Sequence, residues 1–240
     1  MMARPPKACS ECAVRDIALC RVLDAQQLAY LNRQSYRRWY PAGQLIAGSA
    51  ASEGWCATLL SGLIKLSKTL SDGRQQIVAL LFPGDFLGRP YRAEFPYTAE
   101  TATDVQLCCY GRTHFEGLLQ DQSNLKQLFL ERTLDSVDAA REWMLLLGRK
   151  NAREKVAALL LTILQRTSLL CPDCGRDSGR QLVVPLTRGD MADYLGLRLE
   201  TVSRQLKQLE GLGIIKRIDT RRISVCDVKA LAEAAGPDGF

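Results

Sequence analysis

Residues 187–209 have the most informative pattern in the sequence: Thr187-Arg-Gly-Asp-Met-Ala-Asp-Tyr-Leu-Gly-Leu-Arg-Leu-Glu-Thr-Val-Ser-Arg-Gln-Leu-Lys-Gln-Leu209. It predicts two short helices joined by a tight turn. The Thr187 side chain can accept hydrogen bonds from the free backbone N–H groups of the first turn, with Asp190 as its capping-box partner. Gly196 can turn sharply after the first helix, and Leu197 fills the corner between the two helices.

The second helix is predicted over residues 199–211 and is amphipathic. One side carries the apolar residues Val202, Leu206 and Leu209. The other side carries the polar residues Glu200, Ser203, Arg204 and Lys207. A polar helix face of this kind suits the major groove of DNA, although an ordinary amphipathic hairpin with a solvated face has the same pattern.

The residues that follow favour DNA over the solvated hairpin. Residues 213–225 alternate like strands around a turn at Asp219-Thr220, which predicts the β-hairpin wing of a winged helix-turn-helix. Between Thr187 and Cys226 there are eight Lys or Arg residues against five Asp or Glu residues. This excess of positive charge suits contact with phosphates.

Leu186-Thr-Arg-Gly-Asp-Met-Ala-Asp-Tyr-Leu-Gly-Leu197, followed by Glu200-x-x-Ser203-Arg204, resembles the DNA-binding motif of the FNR branch of the CRP/FNR transcription regulators. The resemblance extends over nearly the whole chain. It implies inverted TTGAT-like half-sites in double-stranded DNA and RNA polymerase as a partner. Arg198 departs from the pattern, because a Ser or Thr cap usually opens the recognition helix there. The predicted DNA-binding residues are Glu200, Ser203, Arg204, Thr187, Arg188, Arg198 and Lys207.

Length and composition are those of a globular chain. The 240 residues are 47% apolar and 24% charged, with a net charge of +6, and favour one or two domains. The longest apolar runs fall far below the roughly 18 residues of a membrane helix. Residues 1–10 lack the apolar segment of a secretory signal, so we expect a cytoplasmic chain. Nine cysteines in that compartment indicate metal or redox use more than disulfides.

Three of the cysteines lie in an N-terminal arm. Cys9 and Cys12 form a C-x2-C pair, and Cys20 follows after seven residues. Such spacing lets the thiolates bind one iron or zinc centre, which would need a fourth ligand. Small buried cysteines are the alternative. In the family that the chain resembles, an arm of this kind holds a [4Fe–4S] cluster with one distant cysteine.

Residues 40–110 contain short β-runs broken by Gly and Pro, which predicts a small antiparallel barrel or roll. The runs are residues 43–46, 56–60, 63–67, 77–82 and 105–110. The pattern resembles the cyclic-nucleotide-binding β-roll, but the ligand cassette does not match. Gly84-Asp85 replaces Gly-Glu, and Tyr97-Thr98-Ala99 lacks the arginine that pairs with the cyclic phosphate. A cyclic nucleotide therefore ranks below a cluster as the signal.

Cys108 and Cys109 are neighbours in the last β-run and must point to opposite faces. The resemblance places the fourth cluster ligand at Cys108, with Cys109 inside the roll beside Val105 and Leu107. We interpret Cys56 as core packing. Cys171 and Cys174 form a second C-x2-C in a polar loop, and a zinc ribbon with the arm is a minor alternative.

Residues 123–148 predict one long helix with a coiled-coil seam. The seam residues, spaced alternately by four and three positions, are Leu130, Leu134, Val137, Arg141 and Met144. A second apolar side, consisting of Phe129, Trp143, Leu145 and Leu146, can pack on the helix's own domain. The seam is then left for a second copy of the chain, which predicts a homodimer.

The predicted fold is α+β: an N-terminal antiparallel β-roll, a long dimerisation helix and a C-terminal winged helix-turn-helix. Its segments are the cysteine arm 1–23, the sensory roll 24–121, the helix 122–149 and the DNA-binding domain 150–240. There is one histidine, and neither a Gly-rich phosphate loop nor a nucleophile with a base nearby in sequence, so we expect no enzyme. We expect an oxygen-sensing [4Fe–4S] regulator of anaerobic or microaerobic genes. The alternatives are a regulator responding to thiol redox state or a cyclic nucleotide, and a zinc-binding interaction module.

Overall fold

The computed structural model describes residues 7–47, 54–92, 94–168 and 180–236. The chain forms two compact units, residues 1–70 with 78–138 and residues 71–77 with 139–240. This division falls inside the long helix, whereas the predicted domain limits stand at its two ends. The four predicted segments stay a prediction.

The first unit begins with the arm and a capped helix. Helix α1 spans Lys7–Ser10, a 3-10 turn spans Leu19–Val22 and helix α2 spans Ala25–Arg33. Asp24 caps α2 by accepting hydrogen bonds from two backbone N–H groups, both at 2.8 Å. The Gln27 side chain accepts in return from the Asp24 N–H, so a capping box fixes where the helix begins.

Two four-stranded antiparallel sheets follow and form the predicted roll. The strands are β1 Ser35–Tyr40, β2 Leu45–Ala47, β3 Trp55–Ser61, β4 Ile64–Thr69, β5 Gln75–Leu81, β6 Phe86–Leu87, β7 Thr98–Thr101 and β8 Val105–Gly111. The first sheet has the order β1-β8-β3-β6, and the second has the order β2-β7-β4-β5. Strands β1, β6 and β7 were not predicted. Strand β1 lies at a sheet edge with mostly exposed side chains, so it lacks the apolar alternation that marks a half-buried strand.

The first sheet has a core on each face. Between the sheets, Val105, Leu107 and Cys109 of β8 pack with Ala57 and Leu59 of β3. The outer face carries a second cluster, in which Cys56 and Tyr110 pack against residues of the arm and the following helices. Both Cys56 and Cys109 are fully buried, as expected for cysteines that pack in a core.

Helix α3 spans Arg112–Asp121, and the long helix α4 spans Ser123–Arg149, close to the predicted 123–148. The apolar seam residues Leu130, Leu134, Val137 and Met144 are 41% to 70% exposed. Phe129, Trp143 and Leu146 face the helix's own units as predicted. The prediction for Leu145 is wrong: its side chain is 50% exposed, because it lies next to Met144 on the seam side of the helix.

The second unit is a winged helix-turn-helix. It contains α5 Ala152–Ser168, β9 Arg180–Val183, α6 Arg188–Leu195, α7 Leu199–Gly211, β10 Ile215–Arg217, β11 Arg222–Val225 and α8 Val228–Ala234. The sheet order is β10-β11-β9, and β9 was not predicted. Gly196 has a φ of 60° at the end of α6, as the sharp turn requires. Among the described residues, no helix is both long and apolar enough to cross a membrane.

Candidate metal centre and nucleic-acid interface

A cavity of about 310 Å³ lies on the outer face of the first sheet, beneath the arm. Four cysteines line it: Cys9 of α1, Cys12 of the following turn, Cys20 of the 3-10 turn and Cys108 of β8. The apolar part of the wall includes Leu19, Leu23, Leu28, Leu31, Phe115 and Leu125. The fold therefore brings the three arm cysteines and one distant cysteine to a single cavity.

Strand geometry decides which of the paired cysteines faces this space. Cys108 lies opposite Thr58 of β3 and Arg37 of β1, and all three line the cavity. Cys109 points to the other face and is fully buried between the sheets. The predicted facing of the two cysteines is confirmed, and the role of Cys108 as a ligand stays a prediction.

The four thiols share one electrostatic environment. The pKa of Cys20 is raised to about 12, first by burial and then by the nearby Cys12, Cys9 and Cys108. Burial and then Cys12 raise the pKa of Cys9. The pKa of Cys108 is raised mainly by burial, while a hydrogen bond with Ser35 opposes the shift. At neutral pH Cys9, Cys20 and Cys108 are therefore thiols, and a bound cation would be needed to hold them as thiolates.

The donor set fits an iron–sulfur cluster better than a single ion. A tetrahedral zinc ion with bonds of about 2.3 Å holds its sulfurs about 3.8 Å apart. Among the described residues, no three His, Cys, Asp or Glu side chains are arranged to hold one metal ion. A four-iron cube instead takes one thiolate at each of four irons and fills the space between them. Four cysteines around a cavity match that requirement.

The other cysteines have different surroundings. Cys56 packs with Tyr110 and Phe115 in the outer core, and Cys226 is exposed after β11. Cys171 and Cys174 lie outside the described residues.

Gly84 and Asp85, at the positions of the Gly-Glu pair of cyclic-nucleotide binders, make structural contacts in this chain. The Asp85 carboxylate accepts a hydrogen bond from the Phe82 backbone N–H at 2.8 Å and so closes the turn before β6. Ile17 of the arm packs over Gly84, where an added Cβ would lie 2.8 Å from the isoleucine Cδ1. A side chain larger than glycine would therefore push the arm away from the roll.

Helix α7 presents the predicted polar face. Glu200, Arg204 and Lys207 are exposed and Ser203 is half-buried, whereas the apolar side of the helix is fully buried. Arg198 is exposed and its side chain makes no cap hydrogen bond, so α7 begins without the side-chain cap that a Ser or Thr would give. The polar face is available to a groove.

The start of α6 is organised by its cap. The Thr187 hydroxyl accepts from the Asp190 N–H at 3.0 Å and donates to the Asp190 carboxylate at 2.7 Å. Arg188 is half-buried beside Met191, and its pKa is lowered by burial and then by Arg217. A phosphate at this position would offset the repulsion between the two guanidinium groups.

The wing is tied to the recognition helix by a contact that the sequence pattern did not reveal. The Arg217 backbone N–H and Nε donate to the Glu210 carboxylate at 2.9 and 2.8 Å. The Asp219 carboxylate accepts from the Arg222 Nε at 2.6 Å and stabilises the wing turn. Glu210 lies on α7 and Arg217 on β10, so the contact depends on how two separate elements meet.

Comparison with known proteins places the chain in a family. A Crp-like helix-turn-helix domain matches residues 154–234, and a cyclic nucleotide-binding domain matches residues 37–122. Transcriptional activator protein FnrL of Cereibacter sphaeroides is 44% identical over 96% of this chain and 92% of that protein. The chain belongs to the CRP/FNR family. Its members are transcription regulators that bind DNA and are typically dimeric, so the expectation that the chain is no enzyme is confirmed.

Two further relatives of the CRP/FNR family agree over most of their length. The nitrogen fixation regulation protein FixK of Bradyrhizobium diazoefficiens is 35% identical over 94% of each chain. The structure of FixK2 from Bradyrhizobium japonicum has a TM-score of 0.74 at 30% identity and covers 83% of this chain and 96% of that one. The predicted fold class and family are therefore confirmed.

Proposed function

We propose that this CRP/FNR protein is a homodimeric transcription activator that senses oxygen through a [4Fe–4S] cluster. The observation that carries the proposal is the convergence of Cys9, Cys12, Cys20 and Cys108 on one cavity. The name of FnrL, which is similar over nearly the whole chain, supports an activator. The regulated genes are those of anaerobic or microaerobic growth.

The residues around the cavity supply what such a cluster needs. The cluster, when bound, supplies a centre that reacts with oxygen, and the cysteine thiols lose their protons as they bind it. Arg15 and Arg37 lie close enough to lower the pKa of Cys9 against the effect of burial. Their positive charges offset the negative charge that four thiolates bring to the cavity.

The DNA-binding half of the proposal rests on α7 and on the seam of α4. Two copies joined through the exposed seam would present two recognition helices to an inverted repeat, here of TTGAT-like half-sites. Glu200 can accept from a cytosine amino group, Arg204 can donate to guanine, and Ser203 can contact a base edge or a thymine methyl. Bound dimers would act on RNA polymerase.

The decisive experiment is purification without oxygen. We expect straw-brown protein that contains iron and acid-labile sulfide in equal amounts, loses its colour in air, and binds the inverted repeat tightly only before exposure. Fluorescence anisotropy with labelled duplex measures the last property. A colourless protein that contains zinc would overturn the cluster and favour a zinc-binding interaction module.

The same preparation tests the two other signals. Cluster-free protein whose DNA affinity changes with a disulfide-forming oxidant would favour a thiol-redox regulator. A rise in affinity with a cyclic nucleotide would favour that ligand. We expect no response to a cyclic nucleotide, because the Asp85 carboxylate accepts a hydrogen bond within its own turn. We expect no thiol-redox response, because the arm cysteines bind the cluster in this proposal.

A further inference from the structure

Two buried hydroxyl groups lie on the wall of the cysteine cavity. Thr58 and Tyr110 are 7% and 3% exposed, and both line the cavity. Their oxygens lie 3.3 Å apart, and either can be the donor. In the antiparallel pairing of β3 with β8, Thr58 lies directly opposite Cys108. Tyr110 follows Cys108 by two residues on β8, so the three side chains lie on the same face of the sheet.

The two hydroxyl groups have more donors than the hydrogen bond between them can use. Two hydroxyls carry two protons, and one bond between them uses only one. Among the described residues, the Thr58 and Tyr110 hydroxyls have only each other as partners. One O–H is therefore left without an acceptor in a buried place, which costs free energy unless something in the cavity accepts it.

The phenol lies close to the cysteine sulfurs. Tyr110 and Cys108 lie on the same face of β8, and both line the cavity together with Cys20. A phenol hydroxyl is a hydrogen-bond donor. Sulfur in an iron–sulfur cluster is an acceptor, and hydrogen bonds to cluster sulfur help set its redox properties.

We infer that the Thr58–Tyr110 hydroxyl pair donates a hydrogen bond to a sulfur of the group held by Cys9, Cys12, Cys20 and Cys108. The inference rests on the proposed function and adds two residues that act on the cluster without binding iron. Such a bond favours the more negatively charged state of the cluster, because it places a positive dipole end against the sulfur. Its loss makes oxidation by oxygen easier.

The test compares variants that lose the hydroxyls with variants that do not. Tyr110→Phe and the double variant Thr58→Val with Tyr110→Phe remove the donor with little change in shape. Thr58→Ser keeps a hydroxyl at the same position. Tyr30→Phe is the matched control, since the Tyr30 side chain is exposed on α2 and away from the cavity.

Three measurements are made on each protein. Resonance Raman spectra of anaerobic protein in H2O and D2O detect hydrogen bonds to cluster sulfur through shifts of the iron–sulfur bands. Absorbance in air-saturated buffer gives the rate of cluster loss. Thermal unfolding of cluster-free protein, which needs no cluster, detects a purely structural role.

We expect the shift of the iron–sulfur Raman bands between H2O and D2O to be smaller in Tyr110→Phe than in the unsubstituted protein, and smaller still in the double variant. Cluster loss in air should be about tenfold faster in the double variant, the scale at which outer partners affect a metal site. Thr58→Ser and Tyr30→Phe should behave like the unsubstituted protein. The cluster-free double variant should unfold at the same temperature or higher, because it no longer buries an unpaired hydroxyl.

The outcomes distinguish failure of the hydrogen-bond inference from failure of the proposed [4Fe–4S] function. A colourless unsubstituted protein would overturn both. A coloured double variant with unchanged deuterium shift and unchanged lifetime would overturn the inference alone, since the pair then bonds only to itself or to water. A double variant that folds normally without the cluster but cannot retain it supports the inference.

Discussion

Cys108 and Cys109 are identical side chains that differ only in the face of β8 on which they lie. Cys108 lines the arm cavity, and Cys109 is buried between the sheets. We predict that Cys108→Ser abolishes the anaerobic cluster, as do Cys9→Ser, Cys12→Ser and Cys20→Ser, whereas Cys109→Ser retains it. Iron and sulfide content after anaerobic purification measures this. A cluster that survives Cys108→Ser and is lost from Cys109→Ser would contradict the assignment.

Glu200 and Lys207 are both exposed on α7 but should contribute differently to DNA binding. A side chain that accepts from a base edge contributes roughly 1–3 kcal/mol of discrimination at one base pair. We predict that Glu200→Ala relaxes the preference at one position of each half-site. Lys207→Ala is the control and should weaken binding evenly and reduce the salt dependence, as for a phosphate contact. Anisotropy titrations with singly substituted duplexes distinguish them, and an even loss for Glu200→Ala would refute its role.

Single-residue features were predictable where they depend on local geometry. The Thr187 capping box, the turn at Gly196 and the opposite facing of Cys108 and Cys109 all follow from rules that span a few residues. The contact between Glu210 and Arg217 and the pairing of Thr58 with Tyr110 depend on how separate elements meet. No spacing in the sequence encodes that meeting.

Among the elements, the wing turn offers a prediction about pH. The pKa of Asp219 is lowered to about 2, first by the Arg221 backbone N–H and then by the Arg222 side chain. Because the folded pKa lies below the ordinary 3.8, the charged carboxyl stabilises the turn above pH 3.8. That stabilisation is lost as the pH falls through about 2.

Nuclear magnetic resonance of the Asp219 carboxyl carbon should show an inflection near 2. Arg222→Gln removes one of the causes, so its inflection should move towards 3.8. Lys216→Gln removes a wing charge that is no cause of the shift and should leave the inflection in place. An ordinary titration in the unsubstituted protein would show that the turn is open in solution.

Helices and strands could be predicted from the sequence where their apolar residues follow a clear period. Helices α4, α6 and α7 agree with prediction because caps and helical periodicity mark them. Strands β1, β6, β7 and β9 were not predicted because they are short or exposed and so lack a clear apolar alternation. Leu145 was placed on the wrong side of α4, since an apolar residue between two apolar faces fits either.

In the first unit of the molecule, the arm is joined to the helix that carries the seam. The Arg132 guanidinium on α4 donates to the Ile17 carbonyl of the arm at 3.3 Å. Phe129, on the same helix, packs edge-on against Phe86 and Phe115 in the core that includes Cys20. The arm is therefore in direct contact with α4, the helix whose exposed seam would meet a second copy.

The seam itself is weak enough to be controlled in this way. It covers about two heptads, short of the roughly three to four of a confident coiled coil, and Arg141 interrupts its apolar residues. Burying a guanidinium costs several kcal/mol unless it is paired, for example with Asp138 or Glu142 of the facing helix. Our hypothesis is that cluster assembly supplies the few kcal/mol that bring the two seams together.

Replacing Arg141 with leucine should then remove the need for the cluster. We predict that Arg141→Leu is dimeric in air by sedimentation velocity and binds the inverted repeat without iron, whereas cluster-free unsubstituted protein sediments as a monomer. Ala139→Leu is the control, since it adds the same side chain to an exposed position of α4 outside the seam. If the cluster-free unsubstituted protein is already a tight dimer, association is not the switch. The cluster must then act by turning the DNA-binding domains within a permanent dimer, and Arg141→Leu would leave the oxygen response of DNA binding intact.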